Sequence, residues 1–288
     1  PDLTDGFLIA HGIPDIVYKY LGQHGLTLFA ILHVIFKTRP QVVYLFASGP
    51  CLFAPLLRIS GIKVVTSLRA VDSARGKWGA ISKWLLQLGE YCAWKFSNTF
   101  TVNSMDMQRY YKTKRADVLF IPNGANQAEL KKKGHALPFD KFGYFLFAAR
   151  FDPVKRLHLL LEAYSELSKE DRVPLVIAGG MSKDPEYSRY LKSFQSDDIV
   201  FLGHISQQDL DPIMFNSRAF ILPSVIEGMS NSLLSAMTMG VPVITSDVPA
   251  NKDVINLDEC TFQADNKAEL IQKLREYSAE TFDRDRLG

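Results

Sequence analysis

Short apolar runs rich in β-branched residues alternate with amphipathic helical patterns along this chain of 288 residues. Such alternation predicts parallel strands joined by crossover helices, because a parallel connection needs room for a helix between two strands. In the first half the predicted strands are Val42–Ala47, Lys63–Ser67, Thr99–Asn103 and Val118–Ile121, and the predicted helices are Leu52–Ile59 and Trp78–Phe96. The chain is therefore expected to be an α/β protein.

The pattern restarts in the second half, after a charged segment at 131–138 that ends in Gly and Pro. This segment is the predicted linker, which divides the chain into domains of residues 1–137 and 138–288. The predicted strands of the second domain are Tyr144–Ala149, Leu175–Ala178, Ile199–Leu202, Ala219–Leu222 and Pro242–Thr245, and its last predicted helix is Lys267–Ala279. Residues typical of helix N-termini are Asp152, Pro153, Ser206 and Asp209.

Charged residues are divided unevenly between the two predicted domains. Residues 1–137 contain 17 Lys and Arg against 8 Asp and Glu, whereas residues 138–288 contain 16 against 23. The basic first half is compatible with an acidic surface such as anionic lipid or a phosphorylated acceptor. The alternative explanation of this excess of Lys and Arg is that the basic side chains only keep a helical surface soluble. Hydrophobic residues make up 47% of the chain, which excludes a disordered composition.

The cysteines and the apolar runs argue against several other classes of protein. Cys51, Cys92 and Cys260 are far apart and form no CxxC pair. This pattern argues against a zinc site or a disulfide framework and favours a reducing cytoplasm. The apolar run Leu26–Phe36 contains His33 and is too short to span a bilayer, so it is predicted to be a buried or interfacial helix.

The two ends of the sequence are unusual for such a chain. It begins at Pro1 without a signal peptide, and no strand followed by a Gly-rich turn opens the first domain. It stops abruptly at Gly288. We therefore expect a fragment or a trimmed chain.

Candidate ligand-binding residues follow the predicted strands of the second half, because open α/β sheets bind ligands at the carboxyl ends of their strands. Arg150 directly follows a strand, and Lys155 is predicted in the first turn of the next helix. Two such cations are suited to bind two phosphates. The alternative is that both are ordinary surface cations at a solvated helix start. Gly179 and Gly180 follow the next strand and allow close approach of the backbone to a ligand, but Gly-Gly turns are common.

A third candidate is the loop Gly203–Ser206, which lies between a predicted strand and a predicted helix. It contains His204 and Ile205, and its backbone groups are suited to a planar base. A surface or structural role is the more common one for a single histidine in such a loop.

The most informative segment is Pro223–Met237, in which Glu227 is followed by a glycine, small polar residues and a helix. The amides from Gly228 to Ser232 are expected to point from a helix N-terminus, which is suited to an anion. Glu227 beside them can accept hydrogen bonds from sugar hydroxyls. The sequence therefore predicts that residues 150–231 bind the diphosphate and the sugar of an activated sugar.

Four segments of the second half follow one another in a distinctive order. They are FLFAARFDPVKRLHLLLEAY, PLVIAGG, IVFLGHIS and FILPSVIEGMSNSLLSAMTMGVPVITSDVPANKDVI. They resemble the donor-binding domain of family 4 glycosyltransferases of the GT-B type. In the first half, SLRAVDSARGKWG, the helix containing Glu90 and FIPNGAN resemble the acceptor domain of bacterial polysaccharide glycosyltransferases, especially the rhamnosyltransferase-like branch.

The resemblance implies a GT-B fold, in which two Rossmann-like α/β domains have parallel sheets that face each other across a cleft. Residues 1–137 are then the acceptor-side domain, without its opening strand and Gly-rich loop, and residues 138–288 are the donor-binding domain. The resemblance further implies that Arg150 and Lys155 hold the donor diphosphate and that Glu227 binds the transferred sugar. The other candidate donor-binding residues are Gly179, Gly180, His204, Ile205, Gly228, Met229, Ser230, Asn231, Ser232 and Ser235.

Three departures from the family pattern bear on activity. Ser235 stands where the family has a second glutamate that clamps the ribose, and Arg69-Ala70 stands where related sequences have His-Gly. The family's opening Gly-rich loop has no counterpart before Val42. The candidate acceptor-side residues are Arg69, Asp72, Arg75 and Lys77. A solvated loop is an equal alternative for the last three.

The resemblance implies a retaining, metal-independent glycosyltransferase without a cofactor. It would move a sugar from a nucleotide-diphosphate sugar to a saccharide or lipid-linked acceptor in surface polysaccharide biosynthesis. Asp209–Asp211 and Asp283–Asp285 are DxD-like triplets, but neither follows a predicted strand, so no metal site is predicted. We expect a cytoplasmic protein at the inner face of the cell membrane, in peripheral contact with anionic lipid and without a nucleic-acid partner.

A second hypothesis is a degenerate, non-catalytic protein that binds a sugar nucleotide or an assembly complex. Ser235, Arg69 and the missing opening loop favour it. An epimerase of similar two-domain shape would need paired histidines and carboxylates at the cleft, which are not evident. A dehydrogenase is weaker still, because no GxGxxG follows a predicted strand.

Overall fold

The computed structural model describes residues 25–70, 73, 79–125, 137–182 and 184–279. The chain divides into two compact units, Pro1–Pro122 and Asn123–Gly288. The predicted domain boundary is at 137/138, in a linker most of whose residues lie outside the described ranges. Asn123 lies in the second unit, where its side chain is hydrogen-bonded to the loop before a helix.

The described part of the first unit is built on a parallel four-stranded sheet in the order β1-β2-β3-β4. Its strands are β1 (Val42–Phe46), β2 (Lys63–Leu68), β3 (Thr99–Val102) and β4 (Val118–Phe120). Its helices are α1 (Ser48–Cys51), α2 (Ala54–Ile59), α3 (Ala80–Phe96) and α4 (Met105–Lys112). The four strands predicted for this half are therefore confirmed, and each differs from its prediction by one residue at its end.

The helices of the first unit pack on residues that point from the sheet, including Val64, Phe100 and Val102. Where α3 crosses α1, a Cβ atom at Gly89 would lie 2.0 Å from the carbonyl oxygen of Ser48. Because no larger residue fits there, Gly89 allows the two helices to cross closely.

The apolar run near the start of the chain is helical in the part that the structure describes. Residues 25–33 are helical and continue into a π-helical turn at Val34–Thr38. Phe29 and Phe36 are 50% and 69% exposed. Within the described ranges, no helix combines the length and the apolar character that crossing a bilayer requires.

The described residues of the second unit contain a parallel six-stranded sheet in the order β10-β9-β8-β5-β6-β7. Its strands are β5 (Phe145–Ala148), β6 (Leu175–Ala178), β7 (Ile199–Gly203), β8 (Ala219–Leu222), β9 (Val243–Ser246) and β10 (Thr261–Phe262). Its helices are α5 (Leu157–Ser165), α6 (Pro185–Lys192), α7 (Gln207–Phe215), α8 (Asn231–Thr238), α9 (Pro249–Ile255) and α10 (Lys267–Ala279). All five strands predicted for this half are confirmed, and β10 is an addition.

The order of the strands reverses at β5, which lies between β8 and β6. After β5 the chain builds one side of the sheet with β6 and β7, and then builds the other side with β8, β9 and β10. At such a reversal the helices after the two adjacent strands pack on opposite faces of the sheet, and a crevice forms between them at the carboxyl edge. The loops after β5 and β8 are therefore the natural place for a ligand.

Strand β5 is buried on both faces of the sheet. One core, on one face, includes Phe145, Phe147, Leu160 and Leu270. The other core includes Leu146, Ala148, Phe220 and Leu233. Successive residues of β5 therefore alternate between two cores, as expected for a parallel sheet that helices cover on both sides. This packing makes the sheet a firm support for the loops at its carboxyl edge.

α3 begins at Ala80, whereas the predicted start, Trp78, lies outside the described residues. Two other helix starts differ from the prediction, each for a local reason. The predicted helix Leu52–Ile59 is instead α2, which begins two residues later because Pro55 is suited to the first turn of a new helix. The turn Pro153–Lys155 is a separate 3₁₀ helix, so Lys155 does not lie in the first turn of α5. The break falls at Arg156, which has a left-handed φ of 53° and is held by two hydrogen bonds of 2.6 and 2.8 Å to Asp265.

Candidate functional site

The loops after β5 and β8 meet at the carboxyl edge of the second sheet. The amide of Val225 donates to the carbonyl oxygen of Val154 at 2.9 Å, which ties the loop after β8 to the 3₁₀ turn after β5. This bond brings together residues that are about seventy positions apart in the sequence. The predicted phosphate-binding and sugar-binding residues therefore lie at one edge.

Lys155 and Glu227 are paired directly with each other. Lys155 Nζ lies 2.5 Å from Glu227 Oε1, and the two side chains are only 17% and 7% exposed. A pair so little exposed interacts more strongly than a surface salt bridge, because water screens it less. In this pair the predicted sugar-binding carboxylate neutralises one of the two predicted phosphate-binding cations.

Arg150 is the second predicted cation, and its environment differs. It is exposed just beyond the end of β5. Its side chain has no ion pair or hydrogen bond with any residue that the structure describes. Its guanidinium therefore remains available for a bidentate contact with an anion.

The segment before α8 presents a run of unused backbone donors. Ser230 is the N-cap of α8, and its Oγ accepts a hydrogen bond from the amide of Leu233 at 3.4 Å. The five amides from Gly228 to Ser232 donate to no acceptor among the described residues. Because the N-terminus of a helix also carries partial positive charge, this run has the chemistry of an anion site.

Asn123 is a residue of this site that the sequence analysis did not single out. Its side-chain nitrogen donates to the carbonyl oxygen of Met229 at 3.0 Å and to Oδ1 of Asn231 at 2.8 Å. Its own amide lies 3.1 Å from the sulfur of Met229. The only hint in the sequence is the turn FIPNGAN, which does not reveal the partner of its asparagine.

A buried polar network supports the loop after β8 from below. Asn251 donates to Oγ1 of Thr245 at 2.7 Å, and Thr245 donates to the carbonyl oxygen of Leu222 at 2.9 Å. Oγ of Ser246 donates to the carbonyl oxygen of Ser224. The network fixes the backbone where β8 ends and the loop with Glu227 begins. Sequence analysis missed it, because polar residues at the end of a buried strand show no periodic pattern.

The two predicted glycines have different surroundings. Gly179 has a φ of 156°, and a Cβ atom there would lie 1.9 Å from the carbonyl oxygen of Ala149. Because Gly179 has no side chain, the ends of β5 and β6 can lie close together at this point. At Gly180 a Cβ atom would meet open space, so the structure leaves room for a ligand there. Their role in donor binding stays a prediction.

The remaining predicted donor residues lie around the same edge or on α8. His204 is exposed beyond the end of β7, whereas Ile205 packs against one of the two cores. Ser232 and Ser235 are half-buried on α8, three residues apart, which places them on one face of the helix. No described contact tests the predicted ribose contact of Ser235.

A histidine beside the site is also held in place. Nδ1 of His158, in α5, lies 2.9 Å from the hydroxyl of Tyr187. Burial is the main cause that lowers the pKa of His158, and the nearby Arg156 lowers it further. Burial also raises the pKa of Tyr187 to about 12. The pair is therefore a neutral contact between α5 and α6 near neutral pH.

In the first unit, the predicted acceptor-side residues are only partly described. Arg69 is exposed after β2, and its guanidinium carbon lies 5.0 Å from the centroid of the Phe46 ring. The other three candidates, Asp72, Arg75 and Lys77, lie outside the described residues. The described segments hold no group of three His, Cys, Asp or Glu side chains that could bind a metal ion.

Glu90 of α3 lies at the same edge of the first sheet. Its carboxylate accepts two hydrogen bonds of 3.1 Å from the backbone and the hydroxyl of Ser73, and a third of 3.5 Å from the hydroxyl of Ser48. The carboxylate therefore fixes the loops that follow β1 and β2. The helix that contains Glu90 thus connects these two loops of the first sheet.

Residues 143–280, which include the whole of this candidate site except Asn123, match the family model described as glycosyl transferases group 1. These residues are therefore similar to the group 1 glycosyl transferases. The match begins two residues before β5 and ends one residue after α10. The matched segment therefore contains the six-stranded sheet and both loops at its switch point.

Curated relatives of this chain include glycosyltransferases named for bacterial polysaccharides. The O-antigen chain mannosyltransferase B of Escherichia coli is 32% identical over 117 residues, which are 39% of this chain and 31% of that protein. The capsular polysaccharide biosynthesis glycosyltransferase CapM of Staphylococcus aureus is 32% identical over 158 residues, which are 51% of this chain and 40% of that protein. This chain thus spans well under half the length of these two relatives.

Solved structures similar to the whole chain agree with the predicted fold class. Sucrose-phosphate synthase from Thermosynechococcus elongatus has a TM-score of 0.67 at 17% identity, over 96% of this chain and 75% of that one. The pneumococcal O-GlcNAc transferase GtfA, solved with UDP and GlcNAc, has a TM-score of 0.64 at 16% identity, over 90% and 54%. At these identities the likeness shows the fold alone. The predicted α/β fold of the GT-B class is confirmed.

Proposed function

We propose that this chain transfers a sugar from a nucleotide-diphosphate sugar to a saccharide or lipid-linked acceptor in the biosynthesis of a surface polysaccharide. The observation that carries the proposal is the group of donors at the switch point of the second sheet. There an uncommitted Arg150, the Lys155–Glu227 pair and the amides of residues 228–232 lie within a group 1 glycosyl transferase domain. The names of the polysaccharide glycosyltransferases among its relatives support the acceptor class.

The charges of the site fit a donor with a diphosphate. Arg150 offers two parallel N–H donors, and the helix N-terminus adds backbone N–H groups that need no reorientation. On donor binding, Lys155 would turn from Glu227 toward the phosphates, and Glu227 would accept hydrogen bonds from the hydroxyls of the sugar. These contacts supply positive charge where the leaving diphosphate gains negative charge, which is the role that a metal ion has in other transferases.

A retaining, metal-independent reaction is part of the proposal. The bond between the anomeric carbon and the diphosphate oxygen breaks, and the acceptor oxygen bonds to the same face of that carbon. The acceptor proton passes to the departing phosphate oxygen. The cations and backbone donors of the site support this route, because they can balance the negative charge of the departing diphosphate without a metal ion.

A thermal-shift screen tests the donor site. Nucleoside diphosphates and their sugars are added at increasing concentration to the full chain. A true donor stabilises the folded state by about 2.7 kcal/mol at one hundred times its dissociation constant. A chain whose melting temperature responds to none of these compounds contradicts the proposal.

We also propose that the first unit contacts anionic membrane through α3, which suits a lipid-linked acceptor. Ile81 and Trp84 are 78% and 59% exposed, and they lie three residues apart on α3. The exposed Lys83 and Lys95 of the same helix add the positive charge that anionic lipid attracts.

Co-sedimentation with vesicles tests this contact. We expect the full chain to bind vesicles that contain phosphatidylglycerol, and the double variant Ile81→Ser/Trp84→Ser to bind several-fold more weakly. The matched control Leu257→Ser removes an exposed apolar side chain of the second unit and should change nothing. Equal binding of all three proteins contradicts the membrane proposal.

The second candidate function is a non-catalytic protein that binds a sugar nucleotide. The observation that favours it is Ser235 on α8, where the family has a glutamate, together with the absence of a described partner for its hydroxyl. An assay of transfer and of donor hydrolysis separates the two functions, once a ligand is known from the thermal-shift screen. Ligand binding without either activity favours the non-catalytic protein.

A further inference from the structure

The peptide between Met229 and Ser230 lies where the loop after β8 becomes α8. In a trans peptide, the carbonyl and the N–H point in opposite directions. The Met229 carbonyl accepts a hydrogen bond from the Asn123 side chain at 3.0 Å. The N–H of Ser230, in the same peptide, therefore points away from Asn123.

This N–H belongs to the run of unused donors. It has no acceptor among the residues that the structure describes, and neither have the amides immediately before and after it. If the peptide turned over, the Met229 carbonyl oxygen would take the place of the N–H. An anion at this edge would then meet an oxygen atom with partial negative charge.

Asn123 holds the peptide through more than one contact. The second hydrogen of its amide group is donated to Oδ1 of Asn231 at 2.8 Å, and its backbone amide lies 3.1 Å from the sulfur of Met229. Because an asparagine amide is planar with two fixed donors, the residues on both sides of Ser230 are bound to one rigid group. This geometry resists rotation of the peptide.

We propose that Asn123 is a positioning residue that orients the Met229–Ser230 peptide so that the Ser230 N–H faces an anionic group. The proposal rests on the proposed function, since that group is the diphosphate of the donor. Asn123 itself does not touch the anion in this role. It acts through the backbone of the helix N-terminus.

The position of Asn123 separates this role from a purely structural one. Asn123 is only half-buried, so groups that it leaves unpaired can reach water. The capping bond from Leu233 to Ser230 and the core residue Leu233 do not depend on it. Removal of the Asn123 side chain should therefore leave the fold intact and change the direction of the Ser230 N–H.

Calorimetry with inorganic pyrophosphate tests the proposal without knowledge of the nucleotide. The full chain, Asn123→Ala and the control Asn216→Ala are compared. The side chain of Asn216 also donates to a carbonyl oxygen, that of Pro212 at 2.7 Å, but near the amino end of β8. We expect pyrophosphate to bind about tenfold more weakly to Asn123→Ala, because one charge-assisted hydrogen bond contributes about that factor to the affinity. Asn216→Ala should bind as the parent does, and the melting temperature of Asn123→Ala should be unchanged.

A crystal structure of unliganded Asn123→Ala gives a second, independent readout, in which we expect the Met229–Ser230 peptide to be turned. Unchanged pyrophosphate affinity, or a peptide that keeps its direction in the variant, overturns the role of Asn123. The two proposals can fail separately. If the parent chain binds neither pyrophosphate nor any nucleoside diphosphate, the proposed function is overturned. If the peptide is nevertheless turned in Asn123→Ala, the positioning role of Asn123 remains in place.

Discussion

Replacement of Arg150 by alanine is expected to lower kcat/KM for sugar transfer by about 10²–10³, as the loss of one oxyanion donor does elsewhere. Arg150 is the cation of the site that has no partner among the described residues, so its whole charge is available to the diphosphate of the proposed donor. The effect should fall mainly on kcat, because the charge of the diphosphate grows as the bond to the sugar breaks.

The matched control for Arg150→Ala is Arg189→Ala, which removes an exposed arginine of α6 in the same unit. Transfer rates are measured for both variants under identical donor and acceptor concentrations, with the melting temperature as a check of folding. Equal kcat/KM for Arg150→Ala and the parent would remove Arg150 from the diphosphate site.

Replacement of Glu227 by glutamine is expected to act in opposite directions on two measurable quantities. The binding of a nucleoside diphosphate without its sugar should become about tenfold tighter, because a negative charge leaves the site and Lys155 no longer has an ionic partner. Transfer should fall by about 10² or more, because the hydroxyls of the sugar lose a charged acceptor. Glutamine keeps the shape of the side chain, so the fold is expected to survive.

Calorimetry with the nucleoside diphosphate and transfer kinetics measure the two effects of Glu227→Gln. Glu186→Gln, at the exposed start of α6, is the control for the loss of one negative charge in this unit. Weaker binding of the nucleoside diphosphate to Glu227→Gln than to Glu186→Gln would show that Glu227 does not compete for Lys155.

Much of the second unit could be predicted from the sequence, because its strands are short, apolar and buried on both faces. Such strands stand out between amphipathic helices, and all five that the pattern predicts are present. β10 was missed since two residues are too few to show any periodicity. The run of amides before α8 was also predictable, because Ser230 is a common N-cap residue and a glycine precedes it.

The contacts that decide the chemistry of the site could not be predicted, because they join distant parts of the chain. Nothing local indicates that Lys155 pairs with Glu227, or that Asn123 reaches the carbonyl of Met229. The break of the helix at Arg156 also depends on a distant partner, Asp265. Sequence patterns report local structure and burial, whereas pairing across a sheet edge is a property of the assembled fold.

The reversal of strand order at β5 has a consequence for how the protein is made. During synthesis of the second unit, β5, β6 and β7 leave the ribosome before β8. One edge of β5 therefore stays unpaired until β8 arrives, more than seventy residues after β5 begins. An unpaired edge of a buried strand is prone to pair with other chains. The binding loops become adjacent only when β8 docks, so the site is completed late in folding. We therefore expect nascent chains that stop before β8 to aggregate and to ignore any ligand that stabilises the finished domain.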